Sequence, residues 1–338
     1  MADILLLGEA WGEVEERERR AFVGPTGHLL NQMLGTAGLR RIDCHATNVF
    51  NLRPPGNKIE ALCCGIKDEH IEGYPPLIKG QYVRKEFTDE LARLGDEILR
   101  CNPNLIVALG NTASWAMLGK TTIKNLRGTV HLSTHTVSGY KVLPTYHPAA
   151  IFRQYSLKPT TIMDLDKAKR ESSTPLIHRP VRQIWIEPAL EDLYEFDRRY
   201  IQPCERLSVD IETYRDCITC IGFAPREDIA IVIPFPGFQR ARADYWPSLD
   251  TQHKVYQFVK EVLKRPVPKV FQNGLYDISF LLRTWGIGVG GVGHDTMLLH
   301  HALQPESLKS LAYLGSIYTS EGPWKQMRER VKTIKRED

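Results

Sequence analysis

The sequence predicts an α/β protein of two domains. Its 338 residues are enough for about two domains. Strand-like and helix-like segments alternate through the first half, and the pattern breaks near residue 175 before a different one begins. Alternation of the first kind calls for a parallel sheet covered on both faces.

Taken in order, the apolar run Ile4-Leu5-Leu6-Leu7 between Asp3 and Gly8 reads as a buried strand. A helix is expected over 27–35, then a strand at Ala46-Thr47-Asn48-Val49-Phe50. The stretch 57–81, with Gly73, Pro75 and Pro76, reads as an inserted loop. Helical spacing marks 87–101, and Leu105-Ile106-Val107-Ala108-Leu109 is a third buried strand entering a helix over 111–118. Lys141-Val142-Leu143-Pro144-Thr145-Tyr146 is a further strand. The break at Glu171-Ser172-Ser173-Thr174-Pro175 sets a first domain at 1–172, a linker at 173–184 and a second domain at 185–338. Within the second, 207–212, 218–223 and 229–234 read as a meander, with helices near 252–263 and 276–285 around a strand at 269–271.

Composition narrows the function classes. With 42% apolar and 25% charged residues the chain is ordinary globular protein. No apolar run nears the ~20 residues of a membrane span, so no membrane partner is expected. Neither a basic leader nor a cleavage site opens the chain, which points to the cytoplasm, that of the host if a phage encodes it. Seven irregularly placed cysteines argue against a disulfide framework. The formal charge of +4 permits a nucleic-acid partner without demanding one. Arg17-Glu18-Arg19-Arg20 reads as a solvated helix face.

In open α/β sheets ligands bind outside the carboxyl ends of the strands. Glu9, Asn48 and His147 each close or follow such a strand, and Phe22 lies nearby in the chain. A carboxylate, a carboxamide, an imidazole and an aromatic ring are equipment for gripping a flat polar ring and attacking what it is attached to. Singly, Phe22 reads as core, Asn48 as a cap and His147 as a turn residue. Their joint placement at strand ends is what raises them to a site.

The motifs around these residues go further. Gly8-Glu9-Ala10-Trp11-Gly12, Ala21-Phe22-Val23-Gly24-Pro25-Thr26-Gly27, Thr47-Asn48-Val49-Phe50 leading to Arg53-Pro54-Pro55-Gly56-Asn57, Leu109-Gly110-Asn111-Thr112-Ala113, Arg127-Gly128 and Pro144-Thr145-Tyr146-His147-Pro148 stand in one order. That set resembles the family 4 uracil-DNA glycosylases over about residues 3–170. The resemblance implies a base flipped from the DNA stack into a pocket, stacked on an aromatic ring and read along its Watson–Crick edge. It makes Phe22 the ring, Asn48 the reader of uracil O4 and N3–H, and Gly8 part of the uracil-binding wall. His147 would donate to O2 as charge develops there, worth ~3 kcal/mol. Glu9, with Glu13 and Glu15 as alternatives, would position water or shelter the sugar cation. Ile151 and Phe152 would be the wedge filling the vacated stack, and Arg127 and Arg153 would meet phosphates.

This sequence departs from the family twice. Members carry four cysteines that bind a 4Fe–4S cluster; here Leu52 stands where one of them precedes Arg-Pro-Pro, and Cys63, Cys64 and Cys101 do not make a four-thiolate set. No iron–sulfur cluster is expected. Trp11 replaces the usual proline after Gly-Glu-Ala.

A second site is expected in the second domain. Asp210 and Glu212, two apart on a strand, share a face, and two carboxylates that close call for a hard cation such as Mg²⁺ or Mn²⁺. Asp277, at a helix start after Gln272-Asn273-Gly274, offers a third oxygen ligand. Such ions activate water and stabilise the leaving oxygen in phosphodiester cleavage. Cys217 and Cys220, on a strand, should point to opposite faces.

These motifs, with His294-Asp295-Thr296-Met297-Leu298 and Ser307-Leu308-Lys309-Ser310-Leu311, resemble the RNase H-like 3′–5′ exonuclease domain of family A DNA polymerases, those of phages above all, to about residue 325. The resemblance makes Asp295 structural. The family's fourth acid sits in a Tyr-x-x-x-Asp helix that finds no counterpart up to Asp338, itself a poor substitute. The expectation is therefore a uracil-DNA glycosylase-like domain followed by an incomplete DEDD-type exonuclease domain, the front part of a phage replicative polymerase. DNA is the expected partner, and a polymerase subunit a further one. The other reading is a non-catalytic uracil- or DNA-binding accessory module docking on a polymerase.

Overall fold

The computed structural model describes residues 3–179, 181–235 and 245–321. The described residues up to Arg179 and from Ala312 on pack as one compact unit, and those between, ending at Leu311, as a second.

The first unit runs β1 (Ile4–Ala10), α1 (Glu13–Glu18), α2 (Pro25–Thr36), β2 (Cys44–Phe50), β3 (Cys63–Gly65), β4 (Gln81–Val83), α3 (Thr88–Cys101), β5 (Leu105–Leu109), α4 (Gly110–Leu118), α5 (Ile123–Leu126), β6 (His131–Leu132), β7 (Lys141–Thr145), α6 (Pro148–Arg153) and α7 (Leu157–Glu171). Its main sheet has the order β2-β1-β5-β7-β6, parallel except for β6. Central strands covered on both faces must be apolar throughout, which is why Leu5, Leu6, Leu7 and all of β5 are fully buried. Each such side chain contributes about 1.5–3 kcal/mol. The register matters more for function. Gly8 pairs with Asn48, Leu7 with Ala108, and Leu109 with Thr145. Gly8, Asn48, Leu109 and Thr145 therefore lie at one level, where β5 and β7 end, and Glu9, Gly110 and His147 all follow just beyond it.

The insert 57–81 departs from the expected loop. β3 and β4 form their own antiparallel pair, and Leu62, Cys63, Ile71 and Leu77 join the core of the α3–α4 face. The Trp115 indole N–H donates to Pro75 O at 2.7 Å. Prolines had masked apolar residues that bury themselves at irregular spacing.

The second unit holds β8 (Gln183–Ile186), α8 (Leu190–Phe196), β9 (Leu207–Tyr214), β10 (Cys217–Arg226), β11 (Ile229–Pro234), α9 (Leu249–Lys264), β12 (Lys269–Phe271), α10 (Gly274–Trp285), β13 (Val292–Asp295) and α11 (Thr296–Leu303). The sheet order is β13-β12-β9-β10-β11-β8. β9, β10 and β11 form the expected antiparallel meander, and β12 runs parallel to β9. The sheet is therefore mixed. A register shift between Ile218 and Cys220 inserts one extra residue in β10. Cys217 then pairs with Tyr214 and Cys220 with Glu212, both on the outward face of β9. The two thiols share a face, because a bulge breaks the strict alternation assumed from spacing alone.

α12 (Leu311–Tyr318) was expected within the second domain, but its residues from Ala312 on belong to the first unit. Tyr313, Leu314 and Ile317 bury against Met163 of α7. Lys167 Nζ donates to Ser316 O at 2.9 Å and also to Thr319 O. Asp338 lies outside the described residues.

Candidate active site

The site at the sheet's carboxyl edge is built around a missing side chain. A Cβ on Gly8 would lie 2.1 Å from Asn48 Oδ1 and 2.5 Å from Phe22 Cζ. The Asn48 amide and the Phe22 ring therefore face each other across Gly8 with no room for a methyl group. Gly8→Ala should lower turnover at this site about 100-fold or more, since an ångström of misplacement can cost that much. Single-turnover kinetics against an unchanged circular dichroism spectrum would measure it.

Phe22 adopts φ 57°, the left-handed region that non-glycine residues rarely occupy. The strain is held by α2, where a Cβ on Gly27 would fall 1.9 Å from Phe22 O. Glu15 also holds this loop: its Oε1 accepts the Gly24 N–H at 2.8 Å, and Gly12 and Gly24 pack on its carboxylate. That structural task removes Glu15 as an alternative to Glu9. Glu13 is exposed and pairs with Arg53 at 3.6 Å.

Asn48 is 2% exposed. Its backbone carbonyl is held by Arg93 Nη2 at 2.8 Å, which also takes Val49 O at 3.0 Å. Glu90 and Glu97 fix the same guanidinium from either side. Arg93 was not singled out by sequence, since nothing in a helix marks which arginine reaches back to a strand end. The backbone that carries this side chain is therefore clamped from behind.

His147 caps α6, and its Nδ1 accepts the Ala149 N–H at 3.2 Å. Nε2 then carries the ring's proton and is the donor. Its ring lies 6.1 Å from that of Phe22, tilted by 35°. Burial, with help from the nearby charge of Arg153, pushes its pKa down to about 4 from an ordinary 6.5. The unfolded chain therefore binds the extra proton between these values. His147's contribution to stability is complete above pH 6.5 and is lost as the pH falls toward 4. Burial raises the pKa of Glu9 above its usual 4.5, opposed by a hydrogen bond from Thr112 and by Arg153. Turnover at this site should accordingly show an acid limb above pH 4.5, reporting Glu9. A pH–rate profile of His147→Asn that keeps this limb, beside one of Glu9→Gln that loses it, would confirm the division.

Thr112 Oγ1 donates to Glu9 Oε2 at 2.5 Å, fixing one oxygen of the carboxylate. Thr112 belongs to Leu109-Gly110-Asn111-Thr112-Ala113, and the sequence alone does not mark it as the partner of Glu9.

Two expected DNA contacts are corrected. Arg127 is buried: its guanidinium pairs with Asp164 through two nitrogens, reaches Ser316 Oγ at 3.0 Å and stacks on Tyr313. It belongs to the core, where desolvation is offset by the paired carboxylate, and cannot meet a phosphate. Ile151 is fully buried in the α2–α7 core, so only the 61%-exposed Phe152 remains as a wedge. Arg153, exposed, is close enough to influence both Glu9 and His147.

The two departures meet each other. The Trp11 backbone N–H donates to Leu52 O at 3.1 Å, a bond that a proline at position 11 could not make.

The strand ends, the order of the motifs and this pocket point one way, and comparison agrees. Residues 1–168 match the model of the uracil DNA glycosylase superfamily. The type-4 uracil-DNA glycosylase of Archaeoglobus fulgidus is 31% identical over 175 residues, which cover 49% of this chain and 75% of that protein. That of Thermotoga maritima is 35% identical over 174 residues, 49% and 76% respectively. The chain belongs to the uracil DNA glycosylase superfamily. As a member of that superfamily it is an enzyme, a hydrolase of N-glycosidic bonds. Among solved structures it is similar to the EXD2 exonuclease domain soaked in Mn and Mg, with 16% identity and a TM-score of 0.27 over 40% of this chain and 68% of that one. That likeness is too slight to bear on the second unit. No helix among the described residues is long and apolar enough to cross a membrane.

In the second unit Asp210 and Glu212 alternate outward along β9, as the spacing predicts. Asp277 Oδ1 accepts the N–H of Ile211, the residue between them, at 3.1 Å. Burial and the charge of Asp210 raise the Asp277 pKa to about 6, and burial with Glu212 raises that of Asp210. The oxygen donors suit a hard divalent cation in kind and in crowded charge. They are not drawn into a ready coordination group among the described residues. Asp295 accepts from the backbone N–H groups of Asn273, Gly274 and Met297, which is the structural role expected for it.

Proposed function

We propose that this glycosylase-superfamily enzyme excises uracil from DNA, with Asn48, Phe22, His147 and Glu9 carrying the reaction. The observation that carries the reading is the Asn48 amide, on a residue only 2% exposed, set against Phe22 across a Gly8 that leaves no room for a methyl group. Uracil stacks on Phe22. The Asn48 amide donates to O4 and accepts from N3–H. The C1′–N1 bond breaks with its electron pair leaving on the base, where His147 Nε2–H stabilises the charge developing at O2. Glu9, held by Thr112, orients the water that adds to C1′ and accepts its proton, which ends on the released uracil. Arg153 and Phe152 meet the DNA around the extruded nucleotide.

A second reading concerns the second unit: a metal-dependent 3′–5′ exonuclease in which Asp210, Glu212 and Asp277 would hold Mg²⁺ or Mn²⁺. The contact of Asp277 with the backbone between the two strand acids favours it. A base reader joined to a 3′-end nuclease suits DNA replication, as the front of a phage-type family A polymerase.

Uracil-containing single- and double-stranded oligonucleotides, incubated with EDTA or with Mg²⁺ and then treated with alkali, test both. Alkali-labile sites in EDTA establish the glycosylase. Laddering from the 3′ end with Mg²⁺ alone establishes the nuclease. Neither product, with DNA binding retained, would leave only the accessory-module reading.

A further inference from the structure

Along the edge strand β2 runs a separate cavity of about 310 Å³. None of Glu9, Phe22, Asn48 or His147 lines it; Trp11, Arg19, Arg20, Arg41, Asn51 and Glu97 do. Its volume is at the lower end of the range for small-molecule sites.

The charge of this wall is one-sided. Glu97 is its acid, and that carboxylate is already taken by Arg93 at 2.6 Å, His45 at 2.7 Å and Thr47 at 2.8 Å. The remaining charges on the wall are three guanidiniums. Arg19 lies over the Trp11 ring at 5.5 Å, and Arg41 donates to Cys44 O at 3.0 Å. Burial, and the charge of Arg20, weaken the hold of Arg41 on its proton. Arg19 and Arg20, which the sequence presents as part of a solvated helix face, are therefore gathered with Arg41 at like-charge cost.

The wall also contains unmet hydrogen-bonding groups. Trp11 Nε1 and Asn51 Oδ1 are buried and have no partner among the described residues. Native proteins leave few such atoms, so a donor and an acceptor together in one cavity wall indicate a missing partner. Trp11 is also the residue that departs from the glycosylase motif.

We propose that this cavity is a second site, which takes a phosphate group carried by a DNA strand, a free nucleotide or inorganic phosphate. The arginines neutralise the group and the Trp11 indole Nε1–H donates to one of its oxygens. Asn51 Oδ1 accepts a hydroxyl or amino hydrogen, which a nucleotide brings with its sugar or base. The nucleotide or strand should therefore bind more tightly than inorganic phosphate. The proposal does not rest on the uracil reading.

The test uses the full chain with ¹⁵N-labelled tryptophan side chains, of which there are six. Trp11→Phe identifies the Trp11 indole signal by its disappearance. Inorganic phosphate, thymidine monophosphate and a uracil-free single-stranded oligonucleotide are titrated separately at constant ionic strength, against sodium chloride. The expected result is a saturable shift of the Trp11 signal, with affinity falling about tenfold in both Arg41→Gln and the exposed Arg20→Gln, as loss of one charged phosphate contact implies. A response to the oligonucleotide alone assigns a strand phosphate; a response to the monophosphate also assigns a free nucleotide, and equal binding of inorganic phosphate a bare phosphate. A Trp11 signal that none of the three moves beyond the chloride control overturns the proposal. So do affinities unchanged in both arginine variants. Because no probe contains uracil, either result leaves the reading of the base pocket standing or falling on its own assay.

Discussion

Asn48→Asp should lower uracil excision about 10³-fold and cut the preference for uracil over cytosine by at least ~100-fold, the scale on which a site built around hydrogen bonds discriminates. The substitution keeps the shape of the side chain and exchanges its donor for an acceptor. In a pocket with 2% exposure at this residue, water cannot repair the mismatch. An aspartate oxygen opposite uracil O4 sets two acceptors against each other, whereas the same oxygen meets the N4 amino hydrogens of cytosine. Single-turnover rates on matched uracil and cytosine oligonucleotides give both numbers. An unchanged base preference in a folded variant would remove Asn48 from the reading role. It would also remove the physical reason for the clearance at Gly8 and for Arg93 behind the strand end.

Arg127→Ala should cost about 3–5 kcal/mol of stability, the penalty for leaving a buried charge unpaired. The Arg127 and Asp164 side chains are 4% and 0% exposed. Asp164 also accepts from Thr145 Oγ1 at 2.6 Å, so the orphaned carboxylate would disturb the end of β7, next to His147. Urea denaturation measures the loss. The double variant Arg127→Met with Asp164→Leu should recover much of it, because it removes both charges from an apolar site. The affinity of the folded variant for DNA should be unchanged. A protein of full stability with weakened, less salt-dependent DNA binding would instead return Arg127 to the phosphates.

The two predictions mark how far the sequence was legible. The strands of the first unit could be read because parallel strands buried on both faces are written as unbroken apolar runs, Leu5 to Leu7 and Leu105 to Leu109. Their ends could then be found, and with them Glu9, Asn48 and His147. Asp210 and Glu212 could be placed on one face because strand alternation is short-range. Alternation failed at Cys217 and Cys220, where one extra residue turned the face. The 57–81 insert was opaque because its buried residues follow no period. Arg127, Ile151 and Phe152 were equally plausible DNA contacts in sequence, since exposure is not a property of residue type.

The sequence by itself determined the α/β class, the strands, the identity of the groups at their ends and the family motifs, all of which are local. Only the tertiary structure decided which arginine is core and which faces solvent. It likewise showed that residues from Ala312 on pack with the first unit, that Gly8 is the gap between Asn48 and Phe22, and that Trp11 Nε1 and Asn51 Oδ1 have no hydrogen-bond partner among the described residues in a cavity wall that holds three arginines. The reason is physical. Burial, clearance and hydrogen-bond satisfaction are set by residues far apart in the chain, and no local pattern records them.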